Sequence, residues 1–127
     1  MKYLIIGHGG LAAGTKKTVE FLVGEREDVL TLDIGPEAAS WREQLQGLTK
    51  DCGDEDLTVF TDMPGSEVHQ YCLELRKERP FRLVGGYNVA LLLEALLADE
   101  MTDEELEELV GEMKDQLVYV NDLFKNM

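Results

Sequence analysis

Four short apolar runs, each followed by a turn residue and then by a stretch of helical period, constrain this chain more than any other feature. The runs are Lys2 to Ile6, Val29 to Leu32, Leu57 to Thr61 and Phe81 to Val84, and Gly, Pro or Asp follows each. Strands alternating with helices argue for βαβ units and a parallel sheet. The expected fold class is α/β: a three-layer, doubly wound, mainly parallel sheet of strand order 2-1-3-4, with helices on both faces. A length of 127 residues suits one domain, 1–127, with a real core. No repeat, low-complexity linker or boundary interrupts it.

The helical stretches are readable from their stripes. Leu11, Thr15, Val19 and Leu22 recur on one face, and Gly24 supplies a stop. Ala38, Trp41, Leu45 and Leu48 form a second stripe, and Val68, Cys72 and Leu75 a third behind a Ser66 N-cap. Asn88 caps a fourth, whose Leu91, Leu92, Ala95 and Leu96 make a face wide enough for burial on two sides or for a subunit interface. Thr102 and Glu105 form a capping-box pattern. Leu106, Leu109, Val110, Met113, Leu117, Val120 and Phe124 then follow at three- and four-residue steps. They predict one long last helix packed on the sheet or on a second copy.

Charge narrows the partners. Twelve Lys plus Arg against 26 Asp plus Glu leave a net charge of -14. Such a surface repels phosphate backbones, so no nucleic-acid binding is expected, and it suits a basic protein partner. Most of the acid reads as solvated helix surface. No stretch is long enough to span a bilayer, and no signal-peptide pattern opens the chain, so a cytoplasmic location is expected. Cys52 and Cys72 lack metal or redox spacing and read as reduced packing residues.

Chemistry points to the strand ends, where open α/β sheets bind their ligands. His8 stands in Gly7-His8-Gly9-Gly10 at the end of the first run. An imidazole there can be a nucleophile, a base, a metal ligand or a passive hydrogen-bonding group. No second His or Cys at ligand spacing supports a metal. The glycines clear space beside the ring, and amides of the turn and of the helix start can face an anion, which suits a covalently carried phosphoryl group. Asp62 ends the third run. With strands 1 and 3 adjacent it falls near His8, where a carboxylate fixes the ring tautomer; its alternative is merely to start the turn before Pro64-Gly65. Ser66 is a hydrogen-bond donor to a bound phosphoryl group or only a helix cap. His69 is a group at the mouth of the site or a partly exposed helix residue. Gly85-Gly86-Tyr87-Asn88 can wall the site, with Tyr87 equally readable as packing. A Gly-x-Ser-x-Gly elbow, a phosphate loop and a GxGxxG fingerprint are all missing, which disfavours hydrolase and nucleotide-binding readings.

The segments Leu4-Ile5-Ile6-Gly7-His8-Gly9-Gly10-Leu11-Ala12-Ala13-Gly14, Val23-Gly24-Glu25 with Val29-Leu30-Thr31-Leu32, Thr61-Asp62-Met63-Pro64-Gly65 and Gly86-Tyr87-Asn88-Val89-Ala90-Leu91-Leu92-Leu93-Glu94 occur in order. Together they resemble the enzyme IIA domain of the mannose-type sugar phosphotransferase system. The resemblance implies a phosphohistidine carrier. His8 accepts a phosphoryl group from the carrier HPr and passes it to a IIB domain, Asp62 orients His8, and Gly9, Gly10, Gly65 and Ser66 line the phosphoryl site. It also implies a homodimer, no metal or other cofactor, and contact with the membrane only through IIC and IID components. The chain departs from the family after the aspartate, where two glycines and a serine are usual. Here Gly65, Ser66 and Glu67 follow, either as substitutions or through a one-residue deletion that returns Ser66 to the serine position. A carboxylate at Glu67 opposes a phosphoryl group unless it points to solvent. Two alternatives stay open: a regulatory or binding module on the same fold, and a phosphoryl-relay subunit of a dihydroxyacetone kinase.

Overall fold

Strand β1 (Lys2–His8) lies inside the sheet, and Tyr3 to Gly7 are all buried. A strand covered on both faces needs an unbroken apolar run rather than an alternating one. The same holds for β3 (Leu57–Thr61), all five residues of which are buried. The edge strands β2 (Val29–Ile34) and β4 (Arg82–Gly85) are only partly buried. The computed structural model describes residues 1–36, 40–98 and 101–123. All strand pairs are parallel, in the order β2-β1-β3-β4. The expected topology is the observed one. β1, β2 and β4 each reach one or two residues beyond the expected runs.

Two compact units make up the chain, Met1–Val89 and Ala90–Met127. In the first, the even residues of β1 and the odd residues of β3 face one way. Leu4, Ile6, Leu57 and Val59 share a core with Trp41 and Leu45 of α2 (Trp41–Asp51) and with Val68, Cys72 and Leu75 of α3 (Glu67–Glu78). Helix α1 (Leu11–Val23) instead packs on β1 and β2 through Ala12, Thr15 and Val19. Helices therefore cover both faces. After β1 the chain turns to one face and after β3 to the other, which opens a crevice at the carboxyl ends of these two neighbours. Both cysteines are buried and free. Burial pushes the Cys72 thiol up to about 12, which keeps it protonated.

Helix α4 (Val89–Leu97), in the second unit from Ala90 on, buries Leu91, Leu92, Ala95 and Leu96. Helix α5 (Asp103–Met113) starts with a complete capping box. Thr102 Oγ1 accepts from the Glu105 amide at 3.1 Å, and Glu105 Oε2 accepts from the Thr102 amide. Thr102→Ala is expected to cost about 1 kcal/mol, seen as a lowered midpoint in thermal unfolding.

Two expectations are corrected. On α1 the buried stripe is Ala12, Thr15 and Val19, whereas Leu11 and Leu22 are exposed. The helix start approaches the sheet too closely for a leucine, and alanine fills the contact. The long last helix is broken. Helix α5 ends at Met113, a 3₁₀ turn covers Lys114–Gln116, Leu117 is extended, and a short α6 takes Val120–Leu123. Val118-Tyr119-Val120 is a β-branched and aromatic run, which lowers helix propensity there. Ala38 and Phe124 lie outside the described residues.

Candidate functional site

β1 and β3 run side by side, with Ile6 opposite Thr61. Each continues by one residue or two into the crevice, and these extensions carry His8 and Asp62. Asp62 Oδ2 lies 2.9 Å from His8 Nδ1 and Oδ1 lies 3.1 Å from it. The His8 amide also donates to Oδ2, at 2.9 Å. One carboxylate thus holds both the backbone and the ring. Nδ1 carries the proton to donate, which leaves Nε2 with its lone pair as the free ring nitrogen. The His8 side chain is 39% exposed and that of Asp62 only 9%, so the ring is presented and its partner is hidden.

Burial alone raises the Asp62 pKa, but the hydrogen bonds from the His8 ring and amide, with the His8 charge, outweigh it and bring the carboxyl below its usual value. A carboxylate shifted down in the folded state stabilises the fold above its unfolded pKa and loses that contribution as pH falls through the folded one. Acid unfolding followed by circular dichroism is therefore expected to show this loss below pH 3.8, the ordinary value. Asp62→Asn should flatten that part of the curve.

The glycines divide the work. Gly9 has φ 65° and Gly65 φ 84°, both in the left-handed region. The Gly9 amide donates to the Ile34 carbonyl at 2.9 Å, so it is committed to β2. The expectation that amides of the helix start face an anion is met by an internal one. Asp33, at the end of β2, accepts from the Ala12 amide at 2.8 Å and from the Ala13 amide at 3.2 Å. Asp33 went unmarked in the sequence, although it closes an apolar run as Asp62 does.

Ser66 is the N-cap of α3 and accepts from the His69 amide at 3.2 Å. Its hydroxyl proton remains available to donate. Glu67, the first residue of α3, has a side chain 82% exposed and lies 3.4 Å from Arg42 Nη2. Arg42 is held over the Trp41 ring at 4.2 Å, so α2 supplies a cation to this carboxylate. His69 is turned inward, its Nδ1 2.8 Å from Thr61 Oγ1. A Cβ on Gly85 would meet the His69 ring and Pro64 at 2.9 Å. Tyr87 backs the His8 turn: its hydroxyl would lie 3.2 Å from a Cβ on Gly7. That hydroxyl is buried and makes no hydrogen bond of good geometry among the described residues, although Thr15 lies close enough to affect its titration. Burial chiefly pushes the phenol up to about 12, Thr15 opposes this, and the Asp62 and Asp33 charges add to it.

Fold and pair together define a class: a doubly wound α/β protein presenting a carboxylate-oriented histidine at its switch point. The chain belongs to the family described as EIIA-man, PTS system fructose IIA component, whose model matches residues 2–114. Its structure is similar to the mannose/sorbose-specific IIA subunit of the phosphotransferase system from Enterococcus faecalis, with TM-score 0.84 and 21% identity over 93% of this chain and 92% of that one. It is also similar to the PTS IIA protein associated with the fucose utilization operon from Streptococcus pneumoniae, with TM-score 0.81 and 25% identity over 98% and 96%. The phosphotransferase component EIIA from Streptococcus agalactiae gives TM-score 0.81 and 19% identity over 95% and 98%. A comparison with curated proteins gave no match. Family and fold support a phosphotransfer carrier role. No helix among the described residues is long and apolar enough to cross a membrane.

Proposed function

We propose that this protein is a phosphohistidine carrier of a mannose-type sugar phosphotransferase system. It takes a phosphoryl group from HPr onto His8 and passes it to a histidine of a IIB domain. The observation that carries this reading is the double contact of Asp62 with His8, which engages Nδ1 and leaves Nε2 as the other nitrogen of a half-exposed ring. The Nε2 lone pair attacks phosphorus as the donor's P–N bond breaks, and the donor imidazole leaves with the electron pair. Asp62 stabilises the positive charge that develops on the His8 ring. The Gly10 amide and the Ser66 hydroxyl hold the phosphoryl oxygens, while Gly9 and Gly65 shape the two turns beside them. No metal or other cofactor takes part in this step.

The altered turn fits this role. Ser66 stands at the N-cap of α3 beside the turn, and Glu67 is exposed beside Arg42. The family match runs across both compact units, which supports one functional domain, 1–127. Exposed Leu117, Val118, Tyr119 and Val120 support a homodimer. A cytoplasmic location, with contact to the membrane only through IIC and IID components, follows from the same role.

The test uses purified general phosphotransferase components with labelled phosphoenolpyruvate. Label is expected on His8 and absent from His8→Ala. An unlabelled wild type, or label surviving in His8→Ala, overturns the reading.

A further inference from the structure

We propose that Asp33 is a positioning residue that keeps the phosphoryl group on His8 transferable, by occupying the anion site at the start of α1. The inference rests on the carrier reading and extends it to the energy of the phosphorylated state.

A helix start presents unpaired amides and a partial positive charge, and bound phosphate is strongly favoured there. Helix α1 begins at Leu11, three residues after the histidine. An unoccupied start at that position would hold a phosphoryl group more tightly, which makes its transfer to the next histidine less favourable. Asp33 removes the attraction. Its two carboxylate oxygens take the Ala12 and Ala13 amides, the second and third of the helix. Asp33 makes no ion pair with Lys, Arg or His among the described residues. Its negative charge therefore offsets the helix start and repels a second anion.

Register holds the carboxylate in place. Asp33 pairs with Gly7 and Ile34 with His8 across β2 and β1, and the Gly9 amide is bonded to the Ile34 carbonyl. The end of β2 thus grips the His8 turn at both of its sides. A carrier needs this balance, because its phosphoryl group must leave as readily as it arrives.

The experiment equilibrates the protein with labelled phospho-HPr and measures the ratio of phosphorylated to free His8. Asp33→Asn keeps one acceptor oxygen, in a place that reaches the Ala12 amide at 2.8 Å and the Ala13 amide at 3.4 Å, and removes the charge. It is expected to move the equilibrium about fivefold toward phosphorylated His8, the scale of one like-charge contact near a surface, with an unfolding midpoint close to that of the wild type. Asp33→Ser, a second neutral variant, should shift the equilibrium the same way. If wild type is labelled but the equilibrium of Asp33→Asn stays within about twofold of it, below the expected charge effect, this proposal falls and the carrier reading stands. An unlabelled wild type overturns both. If neither neutral variant folds, the carboxylate is structural and the proposal falls.

Discussion

Asp62→Asn is expected to slow phosphorylation of His8 by about 10²- to 10³-fold, with the fold intact, as quenched-flow labelling and circular dichroism will measure. The size follows from what the carboxylate does. It accepts from the His8 amide and from the His8 ring. An asparagine has one acceptor oxygen and one amide donor in its place. If the oxygen takes the Oδ2 place, which serves both the His8 amide and Nδ1 at 2.9 Å, the amide takes the Oδ1 place 3.1 Å from Nδ1, where a second donor competes for that nitrogen and favours the tautomer with the proton on Nε2. The attacking lone pair is lost in that tautomer. The positive charge formed on the ring during transfer also loses its counter-ion. A rate within about threefold of wild type, far below the loss seen on removing such a partner, would leave His8 independent of Asp62.

Gly7→Ala is expected to destabilise the protein by about 2–4 kcal/mol, enough to lower the unfolding midpoint by roughly 10 °C at this size. A Cβ there lies 2.8 Å from the Ala12 amide nitrogen and 3.0 Å from Leu11 Cβ, besides the Tyr87 hydroxyl. The first contact is backbone, tied to Asp33, and a rotamer change cannot relieve it. Gly10→Ala is the control. Nothing lies within 4 Å of its added Cβ, and its φ is -95°, so the expected change is under about 0.5 kcal/mol. Thermal unfolding of the pair separates crowding beneath the turn from a general need for glycine. Equal losses would refute the steric account.

The central strands were legible because they are buried on both faces, and their apolar runs match β1 and β3 closely. The strand order alone then places Asp62 next to His8. Features that depend on distant partners were not legible. The exposed Glu67 carboxylate lies beside Arg42, 25 residues earlier and stacked on Trp41. The role of Asp33 depends on the register of β2 against β1, and its partners are backbone amides that carry no sequence signal. On α1, hydrophobicity favoured Leu11 and Leu22 because alanine contributes little to a stripe, yet Ala12 is the residue that fits against the sheet. Near the C-terminus, a helical period persisted through residues whose local preference is extended. Periodicity overran propensity there, and Leu117 shows the outcome at φ -93° and ψ 104°.

His8 and Asp62 are 54 residues apart in the chain. Their pairing requires β1 and β3 to have found each other, while β2, made between them, takes the opposite flank of β1. A growing chain shorter than 62 residues has His8 but no carboxylate to orient it. On the proposed carrier role, competence to accept a phosphoryl group is therefore acquired with the long-range closure of the sheet, the slow kind of step in folding. Recovery of labelling after dilution from denaturant should keep pace with recovery of the sheet itself, so the reaction doubles as a clock for folding.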